Sequence, residues 1–429
     1  MHVLLTGASG FIGRALIDAF ERRGHTLTLA VRDVDTAARH WPRHRVVAAD
    51  FATDHRVADW IGRLGGVDVV VNAAGILREH GGQTFEAVHV RAPTALFEAC
   101  AAARVRRVIQ ISALGADADA RSGYHRSKRA ADVRLAALPL SATIVRPSLV
   151  FAPDGASARW FSLLAALPLV PLPGRGAQCL QPIHRDDLVD AVVALAEADA
   201  PPAELDAVGP APLTLRDYLA TLRRALGLGR PRFLRIPRAL MRLATALGER
   251  LPGGLVDRET LAMLERGNCA DPAGITGVLG HAPRAPAQFI EADAAPALRQ
   301  AARLRWLLPL LRLTVATMWI VTGLVSLGLY PVADSLALLA RVGLTGTAAW
   351  IALYAAALLD LGLGIATLTV RRRRALYKAQ AALILGYTAI ISVWLPEFWL
   401  HPYGPVLKNL PLLAALALLH ELDDGDARA

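Results

Sequence analysis

The first three hundred residues alternate short apolar runs with amphipathic stretches. Residues 2–6 (HVLLT) form an apolar run, a helical pattern follows through Phe20, and a second run covers 26–32. Further runs lie at 45–49, 67–72, 107–112 and 142–146, with apolar helical segments between them, such as 93–103. Near-continuous β-branched runs suit strands of a parallel sheet covered on both faces. Right-handed crossovers then arrange them as a doubly wound α/β sheet. Residues 155–180 and 205–300 are expected to build a substrate lobe beside it. Within it, Phe161 to Leu172 is too short to span a bilayer and reads as a core helix with its exit. The Arg- and Pro-rich stretch 230–256 reads either as a basic amphipathic helix on lipid or as a cover of the cleft.

The pattern changes after the Ala/Arg-rich stretch 292–305, which reads as a linker. Leu307 to Tyr330 is apolar except for Arg312, Ala348 to Val370 contains Asp360, and Ala375 to Leu395 begins near Lys378. Val406 to Leu419 is shorter, with Lys408 near one end. A spanning helix needs about 20 such residues. The expected second domain, 301–429, is therefore an all-α four-helix transmembrane bundle with helices at about 307–330, 348–370, 375–395 and 406–420. Four crossings put both termini on one side. The run Arg371–Arg374, with Arg303 and Arg305, places that side in the cytosol by the positive-inside bias. The run reads as a topology determinant rather than a specific lipid site. Asp360 is expensive inside a bilayer unless paired, and Arg312 and Lys378 are its candidate partners.

Composition narrows the partners. The chain is 54% hydrophobic, too apolar for an ordinary soluble protein, and carries a formal net charge of +10. Its arginines are scattered and lack interleaved aromatics, so nucleic acid is not expected; a membrane surface and phosphate-bearing small molecules fit better. Cys100, Cys179 and Cys269 are far apart and have neither metal nor redox spacing, so buried reduced thiols and no metal site are expected. The N-terminus enters a strand at once, without the segments of a signal peptide, so the first domain is expected to stay in the cytosol.

Chemistry begins with Thr6-Gly-Ala-Ser-Gly-Phe-Ile-Gly13, set between a strand and a helix. In that setting Gly7 allows the tight turn, Gly10 lets the backbone approach a pyrophosphate, and Gly13 lets the helix pack on the sheet. This predicts a Rossmann-type dinucleotide site. At the end of the second strand Arg32 and Asp33 compete for the position that selects the cofactor. An acid would bond the ribose 2′-hydroxyl, and an arginine would accommodate a 2′-phosphate. With Arg14 close by, NADP is favoured and NAD stays possible.

Lys128 is the only lysine in residues 1–377 of a chain with 47 Lys and Arg. It stands four residues after Tyr124, so the two share a helix face. An ammonium there would stabilise a phenolate and bring a tyrosine below its usual value of about 10. Lysine also reaches ribose hydroxyls as a compact donor, which a planar guanidinium does poorly. Ser112, at the C-terminal end of a predicted strand, is the candidate to orient a substrate carbonyl.

These residues give the chain a resemblance. TGASGFIG (6–13), NAAG (72–75), ISALGA (111–116), YHRSK (124–128), RPSLVFAP (146–153) and QPIHRDDLVDA (181–191) occur in the order of the short-chain dehydrogenase/reductase superfamily. The similarity is to its extended or atypical branch and covers roughly residues 1–300. With MLERGN (263–268), it extends to bacterial relatives of the nucleotide-binding accessory subunit of respiratory complex I. The resemblance implies Tyr124 as acid/base, Lys128 as its partner and ribose ligand, and Ser112 as substrate hydrogen bonder. It implies cofactor contacts from Gly7, Ser9, Gly10, Phe11, Ile12, Gly13, Arg32, Asn72, Ala73, Ala74, Gly75, Lys128 and Pro147. Asp50 would lie near the adenine, and Arg146 to Ser148 beside the nicotinamide. One departure is His89, which stands where many members carry a relay asparagine; a histidine can still pass a proton. The tail resembles the DoxX-like membrane family, notably in PYGPVLKNLPLL (402–413).

Three functions are compatible with this reading. The first is a membrane-anchored NADP-dependent oxidoreductase acting on a carbonyl or hydroxyl carbon of a lipid-soluble substrate. The second is a non-catalytic nucleotide-binding module that assembles or stabilises a membrane complex. The third is a nucleotide-sugar epimerase or dehydratase. The expected location is the cytoplasmic membrane, multi-pass.

Overall fold

The computed structural model describes residues 1–237, 239–241 and 258–423. Contacts divide the chain into two units, Met1–Ala302 and Arg303–Ala429. In the first, strands β1 (His2–Thr6), β2 (Thr26–Val31), β3 (Arg45–Ala48), β4 (Val69–Asn72), β5 (Arg107–Ile111) and β6 (Ala142–Pro147) join a seven-stranded sheet. Every pairing in it is parallel; β1 lies between β2 and β4, and β6 follows β5. The seventh strand, Glu204–Ala207, pairs with β6 at the edge. The sequence reading assigns residues from 205 onward to the lobe, and Glu204 and Asp206 interrupt the apolar run that would mark a strand. An edge strand tolerates such acids.

Helices cover both faces, as a parallel sheet requires. Leu16, Ile17 and Phe20 of α1 (Phe11–Arg22) and Leu188 and Val192 of a helix at Arg185–Glu197 bury one face. After α2 (Val34–His40), Trp60 of α3 (Val57–Ile61) and Leu96 and Phe97 of α4 (Ala92–Ala102) bury the other, together with Ala131 and Leu135 of α5 (Gly123–Ala136). Beside the sheet, Ala156–Ala166 packs on Leu215–Ala225, with the rings of Phe161 and Tyr218 5.4 Å apart.

Two expectations are corrected here. Cys179 and Cys269, 90 residues apart, form a disulfide; sequence distance hid a pairing made by the bridge of Leu180 to Asn268. Cys100 is a buried free thiol. Residues 295–305 are helical rather than a linker, since Ala, Leu, Gln and Arg are strong helix formers. Part of the 230–256 stretch lies outside the described residues, so neither reading of it is decided.

Among the described residues, three helices are long and apolar enough to cross a membrane: Ala295–Leu329, Gly346–Thr369 and Arg374–Trp394. Their outward residues are apolar, with Ile351, Leu358 and Val393 more than half exposed. The fourth expected crossing is the 14-residue helix Asn409–Leu422, about 21 Å long and short of a bilayer's hydrocarbon core of about 30 Å. A further helix, Val332–Arg341, was not foreseen. A Cβ on Gly364 would lie 3.0 Å from the Ala316 carbonyl oxygen, so small residues let two of these helices touch backbone to backbone. Neither expected partner meets Asp360. Arg312 donates to Asp423 at 2.7 Å, and Lys378 is exposed. Tyr377 also donates to Asp423 at 2.7 Å, while Asp360 is buried with Oδ1 unpartnered among the described residues.

Candidate active site

The glycine turn between β1 and α1 is built of backbone in tight contact. Gly7 has φ +65°, and a Cβ on it would stand 2.5 Å from the Ala73 carbonyl oxygen. A Cβ on Gly13 would stand 2.1 Å from the Gly7 carbonyl oxygen, so Gly13 fits the helix to its own turn rather than to a strand. α1 starts behind an extended Gly10 with no side-chain cap and no acid in its first turn. Its first N–H groups thus point unsatisfied from the sheet's carboxyl end, an arrangement suited to a pyrophosphate. Ser9 and Gly10 are exposed, and Phe11 and Ile12 are half-buried.

At the end of β2, Asp33 and Arg32 are engaged differently. Asp33 caps the helix Val34–His40, accepting from Thr36 N at 3.0 Å, and that bond holds its carboxyl below the usual range. Arg32 is exposed beside it. Asp50 accepts from Ala52 N at 2.9 Å in a local turn. Asn72 is fully buried between Thr6 and Gln110, at 2.5 and 2.6 Å, so its side chain shapes the following Ala73–Gly75 turn from within the core. Arg146 makes a two-point pair with Glu204, and Ser148 donates to the Gln181 carbonyl, so neither polar side chain is free at the cleft. Pro147 is buried between them.

The candidate catalytic residues converge where α5 meets β5. Lys128 is buried, and its Nζ donates to the carbonyls of Ile111 (3.0 Å) and Ala74 (3.4 Å). A Cβ on Gly75 would meet that Nζ at 3.0 Å. Burial lowers Lys128 to about 8, with Asp132 opposing the shift. Tyr124 packs against Phe85, His89 and His125. Burial, and then the Asp132 charge, push it up to about 12, opposite to the lowering expected from Lys128. Ser112 donates to Asp132 in the core instead of facing a substrate.

His89 is not a relay in this geometry. It accepts from Ile76 N at 3.0 Å through Nε2, which leaves the proton on Nδ1, 2.9 Å from Ser127 Oγ. Burial and the Lys128 charge hold it near 2, so it stays neutral with both nitrogens engaged. It secures the turn after Gly75.

Residues 3–206 match the NAD dependent epimerase/dehydratase family, and residues 316–417 match the DoxX-like family. The chain thus carries a domain of the epimerase/dehydratase family with a DoxX-like domain behind it. It is 29% identical over 239 residues to the ceramide reductase of Caulobacter vibrioides, covering 55% of this chain and 73% of that protein. It is 31% identical over 201 residues to the mitochondrial NADH dehydrogenase (ubiquinone) 1 alpha subcomplex subunit 9 of Arabidopsis thaliana, covering 45% of this chain and 49% of that one. The UDP-glucuronic acid 4-epimerase of Bacillus cereus, solved with UDP-glucuronic acid and NAD, shares the fold with a TM-score of 0.52 at 18% identity. That match covers 71% of this chain and 100% of the other.

Within this epimerase-type site the structure adds residues that sequence reasoning passed over. Asp132, which accepts from Ser112, is one of them. Glu259 accepts from Gly123 N at 2.9 Å, at the start of α5, and Arg266 donates to Gly115 O at 2.7 Å and to Asp117. Arg266 lies in MLERGN, a motif the sequence singled out without a task for it. Arg185 pairs with Asp154 and lies 5.2 Å from the Phe11 ring. The crowding at Gly13 gives a direct expectation. Gly13→Val should abolish NADPH and NADH binding while the fold persists in circular dichroism, and unchanged affinity by titration would reduce the motif to a turn.

Proposed function

We propose that the protein is a membrane-anchored, NADP-dependent reductase of a lipid-soluble carbonyl compound. The observation that carries this is Tyr124, held as a neutral phenol one helical turn from a buried Lys128 at the carboxyl end of a nucleotide-binding sheet. A nicotinamide cofactor supplies the hydride. Tyr124 holds a proton for the oxygen of the reduced carbon, and burial keeps that proton in place until negative charge develops beside it. Lys128 uses two of its three donors on backbone carbonyls and keeps one for a cofactor hydroxyl. Its ammonium then stabilises the phenolate that remains. The ceramide reductase named among the relatives and the apolar second unit support a lipid-soluble substrate.

The choice of NADP rests on the end of β2. Asp33 is spent on its helix cap, while Arg32 is exposed where a 2′-phosphate would lie. Arg32→Ala should remove most of a preference for NADPH over NADH, since a charge-assisted bond contributes about 1.5–3 kcal/mol. Equal affinities in the unmutated protein would contradict this choice.

A second reading is a nucleotide-binding module that assembles a membrane complex. It is favoured by the engaged Ser112 and His89, which leave Tyr124 without the usual companions, and by the complex I subunit among the relatives. Complementation of a deletion strain separates the two. As a reductase, the protein loses function with Tyr124→Phe and with Lys128→Arg, the first keeping its NADPH affinity. Turnover losses of about 10²–10⁴-fold are ordinary for a missing acid–base group. Full rescue by Tyr124→Phe would leave the assembly module standing.

A further inference from the structure

Tyr124 and Lys128 have tasks in the proposed reduction; Asp132 has none. It is 3% exposed, yet it sits within one helical turn of Lys128, on the same face of α5. Its Oδ2 accepts the Ser112 hydroxyl, and its Oδ1 has no hydrogen-bond partner. Lys128 meanwhile donates to the carbonyl of Ile111, the residue before Ser112. Consecutive residues at the end of β5 therefore receive consecutive turns of α5. The upper rung carries a buried cation and the lower a buried carboxyl.

Packing alone does not ask for a carboxyl, because a buried charge is costly unless another charge compensates it. The surroundings show which charge that is. Arg146 of β6 faces Asp132 but is already balanced by its two bonds to Glu204 of the edge strand. His89, from the π-helical segment Glu86–Arg91, is neutral, and Tyr124 on α5 is a neutral phenol. Lys128 touches only backbone carbonyls. Among the described residues of the site, it is the buried cation whose charge is otherwise unmatched.

We propose that Asp132 is a positioning residue: its carboxylate, oriented by Ser112, is the counter-charge that keeps the Lys128 ammonium protonated and seated on the end of β5. This rests on the reading of Lys128 as the cation of the cofactor side. It gives Ser112 a different task from the one its sequence position suggests. Ser112 serves Lys128 through Asp132 rather than meeting the substrate. The electrostatics run the same way. Asp132 is raised to about 6 by burial and held down by the Ser112 bond, then by Lys128 and Arg146. Asp132 in turn opposes the fall of Lys128. Without the carboxylate, Lys128 would give up its proton at a lower pH, closer to neutrality.

The chain has three lysines, Lys128, Lys378 and Lys408. Full-length protein labelled with carbon-13 and nitrogen-15 lysine therefore gives three side-chain signals by NMR in detergent. The Lys128 signal is assigned by its loss in Lys128→Met. Asp132→Asn keeps the shape and still accepts from Ser112. It should move the Lys128 titration midpoint down by about 1 unit or more, the effect of losing a nearby opposite charge. The pH at which NADPH affinity begins to fall should move down with it, and Asp132→Glu should restore part of both. Should Asp132→Asn fail to fold, Ser112→Ala carries the same test with a smaller downward shift. A midpoint in either folded variant that coincides with the unmutated protein overturns the proposal. The titration needs no substrate, so the two readings fail separately. A shifted midpoint together with a dispensable Tyr124 sinks the reductase and leaves Asp132 in its role. An unmoved midpoint with a Tyr124-dependent function does the reverse.

Discussion

The docking of α5 onto the end of β5 is the constraint on which the site depends. A buried ammonium loses several kcal/mol of hydration that its surroundings must return. Here they return it through the Ile111 and Ala74 carbonyls and the carboxylate one turn away. Those contacts fix the helix in register with the strand. They thereby set Tyr124, one turn earlier on α5, against Phe85, His89 and His125. His89 supports the Ala73–Gly75 turn as a neutral ring hydrogen-bonded to Ile76 N and Ser127. Removing any one of these polar groups strands another in the core, at a cost of about 1–3 kcal/mol for each unsatisfied atom.

The second unit obeys the same logic in a less forgiving solvent. Its long helices approach through Gly323 and Gly364, where a Cβ would collide with the facing helix. Besides the pair of Arg341 with Glu397 elsewhere, one cluster of its charges lies at the end that carries the arginine run. There Asp423 receives Arg312 and Tyr377, with Arg373 at 3.8 Å. Gln380 donates to Thr367 at 2.7 Å, which settles another polar group inside the bundle. Asp360 stays outside these networks.

Much of the sheet was legible in the sequence, because strands buried on both faces must be apolar along their whole length. β1, β2 and β5 are such runs, each followed by turn or helix signals. The edge strand Glu204–Ala207 was not legible, since one side of it needs no partner and its acids mask the period. The positions of Gly7, Gly13, Tyr124 and Lys128 could be read because each depends on a local backbone or helix spacing. The surroundings of Ser112 and His89 could not. Their partners, Asp132 and Ser127, come from another element, and nothing in local spacing says that a strand-end hydroxyl turns inward. Likewise Arg312 lies nearer Asp360 than Asp423 in sequence but pairs with Asp423, because helix ends meet where the chain reverses. The Cys179–Cys269 bond belongs to the same class, being a contact over 90 residues of sequence.

The central claim is that this site reduces a lipid carbonyl with a proton from Tyr124. The most direct measurement incubates the purified full chain in detergent with NADPH carrying deuterium at its transferable position and a total lipid extract from the producing cells. Mass spectrometry then searches the lipids for a gained deuterium. The account predicts a lipid that gains one deuterium on carbon and one exchangeable proton on oxygen, with the product absent when Tyr124→Phe replaces the native chain. NADPH bound tightly but left unoxidised across the whole extract, with the same outcome for both proteins, would contradict it.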